Sequence, residues 1–189
     1  MTSRLAPGGR HGELNIKPDL ITLGKYLGGG VSFGGFGGRS DIMEGFNPRS
    51  KNAWRHAGTF NNNIMTMTAG LAGLTQLFTP EACIELNKKG DVFRARLNKT
   101  IQERDLPIQV TGLGSMNNVH FTDIPMERPH TDPVSSRKGD LMHLDMLKLG
   151  VYHARRGMMN LSLPMTDADI DFAVSAFEEF LDSRRAILK

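Results

Sequence analysis

The chain is 189 residues long, 39% hydrophobic and 23% charged, with a formal net charge of +3. That length suits one domain or a domain with a small lobe, and so mild a charge gives no electrostatic case for a nucleic-acid or membrane partner. The single cysteine, Cys83, excludes an internal disulfide framework and fits a reducing, cytoplasmic setting, while no apolar run reaches membrane-spanning length and no N-terminal stretch reads as a signal peptide.

Near the N-terminus, Pro7, Gly8 and Gly9 mark a turn. Leu20, Ile21, Thr22 and Leu23 form an apolar run bounded by Pro18 and Gly24, which predicts a short buried strand. Lys25 follows directly, then Tyr26, Leu27 and the glycines Gly28, Gly29 and Gly30. An amine held in a partly dehydrated pocket at a strand end favours its neutral form and is a usable nucleophile toward an aldehyde. The plain alternative is a solvated surface lysine, the usual state of that residue. Gly24 and Lys25 are not a phosphate loop, which needs a glycine five residues before Gly24 and Ser or Thr after the lysine; the chain has Asp19 and Tyr26 there. Residues 31–38 predict a second, glycine-rich strand. Gly30, Ser32 and Gly34 match the letters of a nucleophile elbow but not its strand-then-helix context. Ser40 predicts an N-cap and one helical turn.

Residues 47–63 form a polar loop that holds Trp54, His56, Gly58 and Thr59. A threonine hydroxyl beside backbone N–H groups near a helix start suits a phosphate; the alternative is that Thr59 and Asn61 only cap the next helix. In that helix Ile64, Met67, Leu71, Leu74 and Leu77 trace an apolar line at helical spacing, and the small residues beside it favour close packing. Thr79 and Pro80 are the cap and first position of a helix that runs to about Glu103, with Ile84, Leu86, Val92, Phe93 and Leu97 apolar. Residues 106–110 and 116–121 predict an antiparallel pair whose His120 faces away from Val119 and Phe121 into solvent. Residues 125–136 read as a loop, 141–149 as a helix, and 151–154 and 158–163 as strands. Arg155 and Arg156 lie between those strands. A guanidinium fork there suits a substrate carboxylate; the alternative is ordinary surface arginine. Thr166 to Asp169 open the last helix, with Ile170, Phe172, Val174, Phe177, Phe180 and Leu181 as its buried side. The histidines and the cysteine show no metal-ligand spacing, so no metal is expected.

The run from Pro18 through Lys25 to Gly30, the glycine-rich stretch up to Arg39, and the later His56, Gly58, Thr59, Asn61, Asn62 and Asn63 resemble the class III aminotransferases, most closely the glutamate-1-semialdehyde aminomutase branch. The resemblance covers nearly the whole chain and includes Thr166 to Asp171. It implies an α/β fold, the C-terminal part of a fold-type I transferase dependent on pyridoxal 5'-phosphate (PLP). A partial PLP-binding large domain is expected over residues 1–79, and a linking helix with a small α+β domain over 80–189. The resemblance implies that Lys25 carries PLP as an imine, that Gly58 and Thr59 bind its phosphate, and that the phosphate at Thr59 belongs to the partner subunit of a homodimer. It also implies a small amino or keto substrate.

Met1, Thr2, Ser3 and Arg4 resemble the segment that, in the family, directly follows the aspartate contacting the cofactor's ring nitrogen. That acidic partner keeps the nitrogen protonated and the ring an electron sink. The expectation is therefore a truncated reading frame or split remnant, an aminotransferase or aminomutase by descent that is impaired as an isolated chain. The alternative expectation is a non-catalytic remnant that acts only as a dimerisation or interaction module.

Overall fold

The structure, a computed structural model, describes residues 3–127 and 133–189. Met1 and Thr2 of the opening run, and residues 128–132 of the expected loop, lie outside the described residues. The chain divides into two compact units, Met1–Ile84 and Glu85–Lys189.

In the N-terminal unit a helical turn, α1 (Arg10–Glu13), precedes strand β1 (Leu20–Gly24). β1 passes into a short 3-10 turn at Lys25–Gly28, and the chain returns as β2 (Gly34–Gly38), antiparallel, with Thr22 opposite Phe36. A two-stranded ribbon covers neither of its own faces. Leu20 and Leu23 are accordingly exposed, and the strand expected to be buried is open in this chain. α2 (Ser40–Met43) has Arg39 rather than Ser40 at its N-cap position. Arg39 clamps the ribbon instead, with NH1 2.7 Å from Asp19 Oδ1 and Nε 3.0 Å from Asp41 Oδ1.

α3 (Ile64–Ala72) is capped by Asn63, whose side chain accepts from the Met65 and Thr66 amides. Neither Thr59 nor Asn61 is the cap. The helix ends in a wider π turn at Gly73–Leu77. Its apolar line is not its buried side. Thr66 and Gly70 are buried, whereas Ile64 is 81% exposed and Leu77 68%. The narrow face is inward because only small residues let its backbone come close to what it packs on.

The C-terminal unit takes most of α4 (Pro80–Glu103), whose Ala82 amide donates to the Thr79 hydroxyl at 3.2 Å. Leu86, Phe93, Leu97 and Ile101 are among its buried positions, with Cys83, Gly90 and Thr100, while Ile84 and Val92 of the expected line face solvent. β3 (Gln109–Leu113), β4 (Met116–His120) and β5 (Met158–Asn160) form an antiparallel sheet in that order, with Val110 opposite Val119. α5 (Pro133–Lys148) begins earlier than its apolar pattern suggests. Residues 151–154 are not a strand, because the Val151 amide turns back to Met146 O at the end of α5. α6 (Asp167–Ser183) opens on a capping box formed by Thr166 and Asp169, and α7 (Arg185–Leu188) follows. Ile170, Val174, Phe177, Phe180 and Leu181 fill the core beside Met142 and Met146, while Phe172 lies outside it. No helix among the described residues is long and apolar enough to cross a membrane.

Arg184 grips Asp145 with Nε 2.6 Å from Oδ2 and NH2 3.1 Å from Oδ1. The guanidinium holds the Asp145 carboxyl below the usual carboxylate range, against the opposing effect of burial. A depressed carboxylate contributes stability that is present above its unfolded pKa of about 4 and lost as pH falls through the lower folded value. Asp145→Asn should therefore destabilise the chain at neutral pH, and urea titrations should show the gap to the parent closing as pH drops below that range. Phe177 is fully buried, so Phe177→Ala should cost about 3–5 kcal/mol in the same measurement.

Candidate functional site

Lys25 stands where β1 meets the 3-10 turn, with a φ of 58°. The left-handed region costs an L-residue about 1–2 kcal/mol. The other non-glycine residues there, among those described, are Asn15, Asn62 and Asp105, types whose short polar side chains tolerate it. A glycine would occupy the position of Lys25 without that cost. A long amine held against a backbone penalty points to a role for the side chain. The turn behind it is anchored: Tyr26 OH donates to Ser3 Oγ at 2.8 Å, and the Tyr26 ring meets Phe78 edge-on with centroids 5.1 Å apart.

Lys25 itself is exposed. Its neighbours Leu23, Tyr26 and Leu27 line a concavity of about 490 Å³, and Lys25 does not. The dehydrated pocket expected around the amine is not formed by the described residues of the N-terminal unit, where Lys25 is exposed and lies outside the concavity that its neighbours line.

Gly58 opens a turn in which the Asn61 amide donates back to Gly58 O at 3.0 Å. Gly58 lines a concavity of about 1210 Å³ together with Phe36, Phe46 and His56. Those aromatic rings pack edge-on, with centroids 5.3 Å apart for Phe36 and Phe46 and 5.2 Å for Phe36 and His56. Thr59 is exposed on the same turn. Neither Thr59 nor Lys25 lines this concavity.

Arg155 and Arg156 belong to the C-terminal unit, where they line a concavity of about 660 Å³ with Asn118, His120 and Asp140. Arg155 is already engaged. Its Nε lies 2.6 Å from Asp140 Oδ1 and its NH2 2.8 Å from Oδ2, and the guanidinium holds the Asp140 carboxyl below its usual range. Arg156 donates through Nε to Met158 Sδ. His120, expected in solvent, is half-buried, with Nε2 2.8 Å from Thr111 Oγ1. Burial pushes its imidazole below the usual histidine range. Sequence reasoning missed Asp140 and His120 as members of this concavity. No local pattern links Asp140 to an arginine fifteen positions away, and strand alternation alone put His120 on a wet face.

Residues 9–181 match the aminotransferase class-III family. The chain belongs to that family. This class-III aminotransferase chain is 49% identical over 190 positions to the β-phenylalanine transaminase of Variovorax paradoxus, a match spanning 100% of the chain and 43% of that protein. A solved β-phenylalanine aminotransferase structure from the same organism superposes with a TM-score of 0.91 and 47% identity, over 100% of this chain and 44% of that one. A glutamate-1-semialdehyde 2,1-aminomutase of Methanothermobacter thermautotrophicus is 43% identical over 119 residues, 63% of this chain and 28% of that protein. The chain thus spans under half the length of these relatives. Its fold is the α/β fold of fold-type I PLP-dependent transaminases, and PLP is the cofactor of the family.

The residues present fit PLP at three points. Lys25 supplies a primary amine on a strained, anchored turn. Gly30, downstream of it, has open space where a side chain would stand. The turn at Gly58 presents backbone and an exposed Thr59 hydroxyl. The described residues of the N-terminal unit leave the amine exposed. Glycine bears no left-handed cost, so Lys25→Gly should raise stability by about 1 kcal/mol. Urea denaturation of the parent and variant reads this directly, and a destabilised variant would contradict it.

Proposed function

We propose that this chain takes part in PLP-dependent amino-group transfer, with Lys25 as the amine that holds the cofactor. The observation that carries this reading is the left-handed lysine at the end of β1, in a chain of the class-III family. Bound PLP supplies an electron sink for negative charge developing on the substrate's amine-bearing carbon. Lys25 Nζ then serves as the base that moves the proton off that carbon. In the proposed homodimer the Gly58 turn and the Thr59 hydroxyl bind the phosphate of the partner subunit's cofactor, as a neutral donor set suits a phosphate oxygen. Within the C-terminal unit, taken by itself, Arg156 is the proposed recipient of a carboxylate, and Arg155 becomes one only by exchanging its fork from Asp140. The similarity of the whole chain to a transaminase favours transfer to a second carbonyl over return of nitrogen to the neighbouring carbon, the aminomutase outcome.

The amine also needs exclusion of water, and the unit leaves apolar surface exposed that a second chain would cover. Ile64, Leu71 and Leu77 project outward, and Phe60 is 85% exposed. A homodimer built over that surface is part of the proposal. The exposure of Lys25 favours a second reading, in which the chain is a dimerisation or interaction module without catalysis.

Incubation with PLP separates the two. The catalytic reading expects a stoichiometric Lys25–cofactor adduct, seen by its absorbance and lost in Lys25→Ala. A spectrum unchanged by that substitution leaves the interaction module.

A further inference from the structure

We propose that Gly70 and Thr66 of α3 are positioning residues for Lys25, an inference that rests on Lys25 being the cofactor amine. The inward face of α3 lies directly on the lysine turn. A methyl group added at Gly70 would sit 2.5 Å from Leu27 O, and one at Gly29 would overlap Ala69 O. The contact is therefore backbone on backbone, with no flexible side chain between that could yield. Thr66, one helical turn earlier, is buried, and its Oγ1 donates to Ser32 O at 3.3 Å. One contact holds the turn at Leu27 and Gly29, and the other holds its exit at Ser32. The Asn63 cap sets where α3 begins, so both contacts keep one register to the turn.

Lys25 lies two residues before Leu27 and keeps a φ of 58°. A backbone penalty of this kind persists only where the surroundings over-determine it. α3 supplies that determination. Displacing the Leu27 carbonyl allows Lys25 to relax toward an ordinary conformation, which swings the amine away from its present direction. Reactivity depends steeply on such placement.

The test uses the full chain with PLP, borohydride reduction and peptide mass spectrometry, and reads the ratio of label on Lys25 to label on the exposed Lys17 and Lys51. The parent should label Lys25 preferentially. Gly70→Ala and Thr66→Val should each lower that ratio by about tenfold, and Thr66→Ser, which keeps the hydroxyl, should restore it. Hydrogen exchange at the Gly29 amide, which donates to Tyr26 O at 2.9 Å, reads the same turn without cofactor and should accelerate in the first two variants. Unfolding would also level the ratio, so labelling is done where urea titration shows each variant still folded, and a ratio that falls there reports the turn and not a general loss of stability. Should Gly70→Ala fail to fold, the Thr66 pair decides. Parental labelling in folded Gly70→Ala and Thr66→Val overturns the positioning role and leaves the cofactor reading intact. Absence of any Lys25 preference in the parent overturns the cofactor reading, and the inference falls with it.

Discussion

The contact between α3 and the turn after β1 is the constraint on which the N-terminal unit depends. Two stretches of backbone touch there because Gly29 and Gly70 leave room for nothing else. That contact makes intelligible two features that otherwise conflict with local rules: a lysine in a glycine's conformation, and a helix whose apolar line faces outward. Each violates a preference worth about 1 kcal/mol or more. Local rules broken together at one place are the pattern expected of a functional site, and the proposed role of Lys25 is of that kind.

The two units differ in how they are held. Apart from Cys83, every large side chain that is fully buried among the described residues lies in the C-terminal unit, including Phe93, Leu97, Met142, Phe177 and Phe180. That unit has a sheet with helices packed on it and a conventional apolar core. The N-terminal unit has a ribbon, a turn and a helix, with Trp54, Phe60 and the outer line of α3 exposed. A polypeptide with so much apolar surface in water is stabilised by covering it. The proposed homodimer and the proposed cofactor chemistry therefore make the same demand, for a second surface over this unit.

The C-terminal concavity illustrates a different principle. Arg155 has the fork geometry suited to a carboxylate, and Asp140 already fills it. An internal carboxylate paired to an arginine keeps the guanidinium oriented and competes with any other anion for it. Arg156, next in sequence, carries no such partner among the ion pairs described and donates through Nε to Met158 Sδ.

Much was legible in the residues alone. The motifs that place the chain in its family, the capping of α4 by Thr79 and the capping box of α6 depend on neighbours a few positions apart, and so does the apolar period of α6. Local chemistry of that kind is written directly in the order of side chains. Three things were decided only by the folded chain: which side of α3 turned inward, the openness around Lys25, and the Asp140 partner of Arg155. Each turns on what lies across space from a residue rather than along the chain from it. Periodicity identifies a face but not its neighbour, and burial belongs to the pair of surfaces that meet.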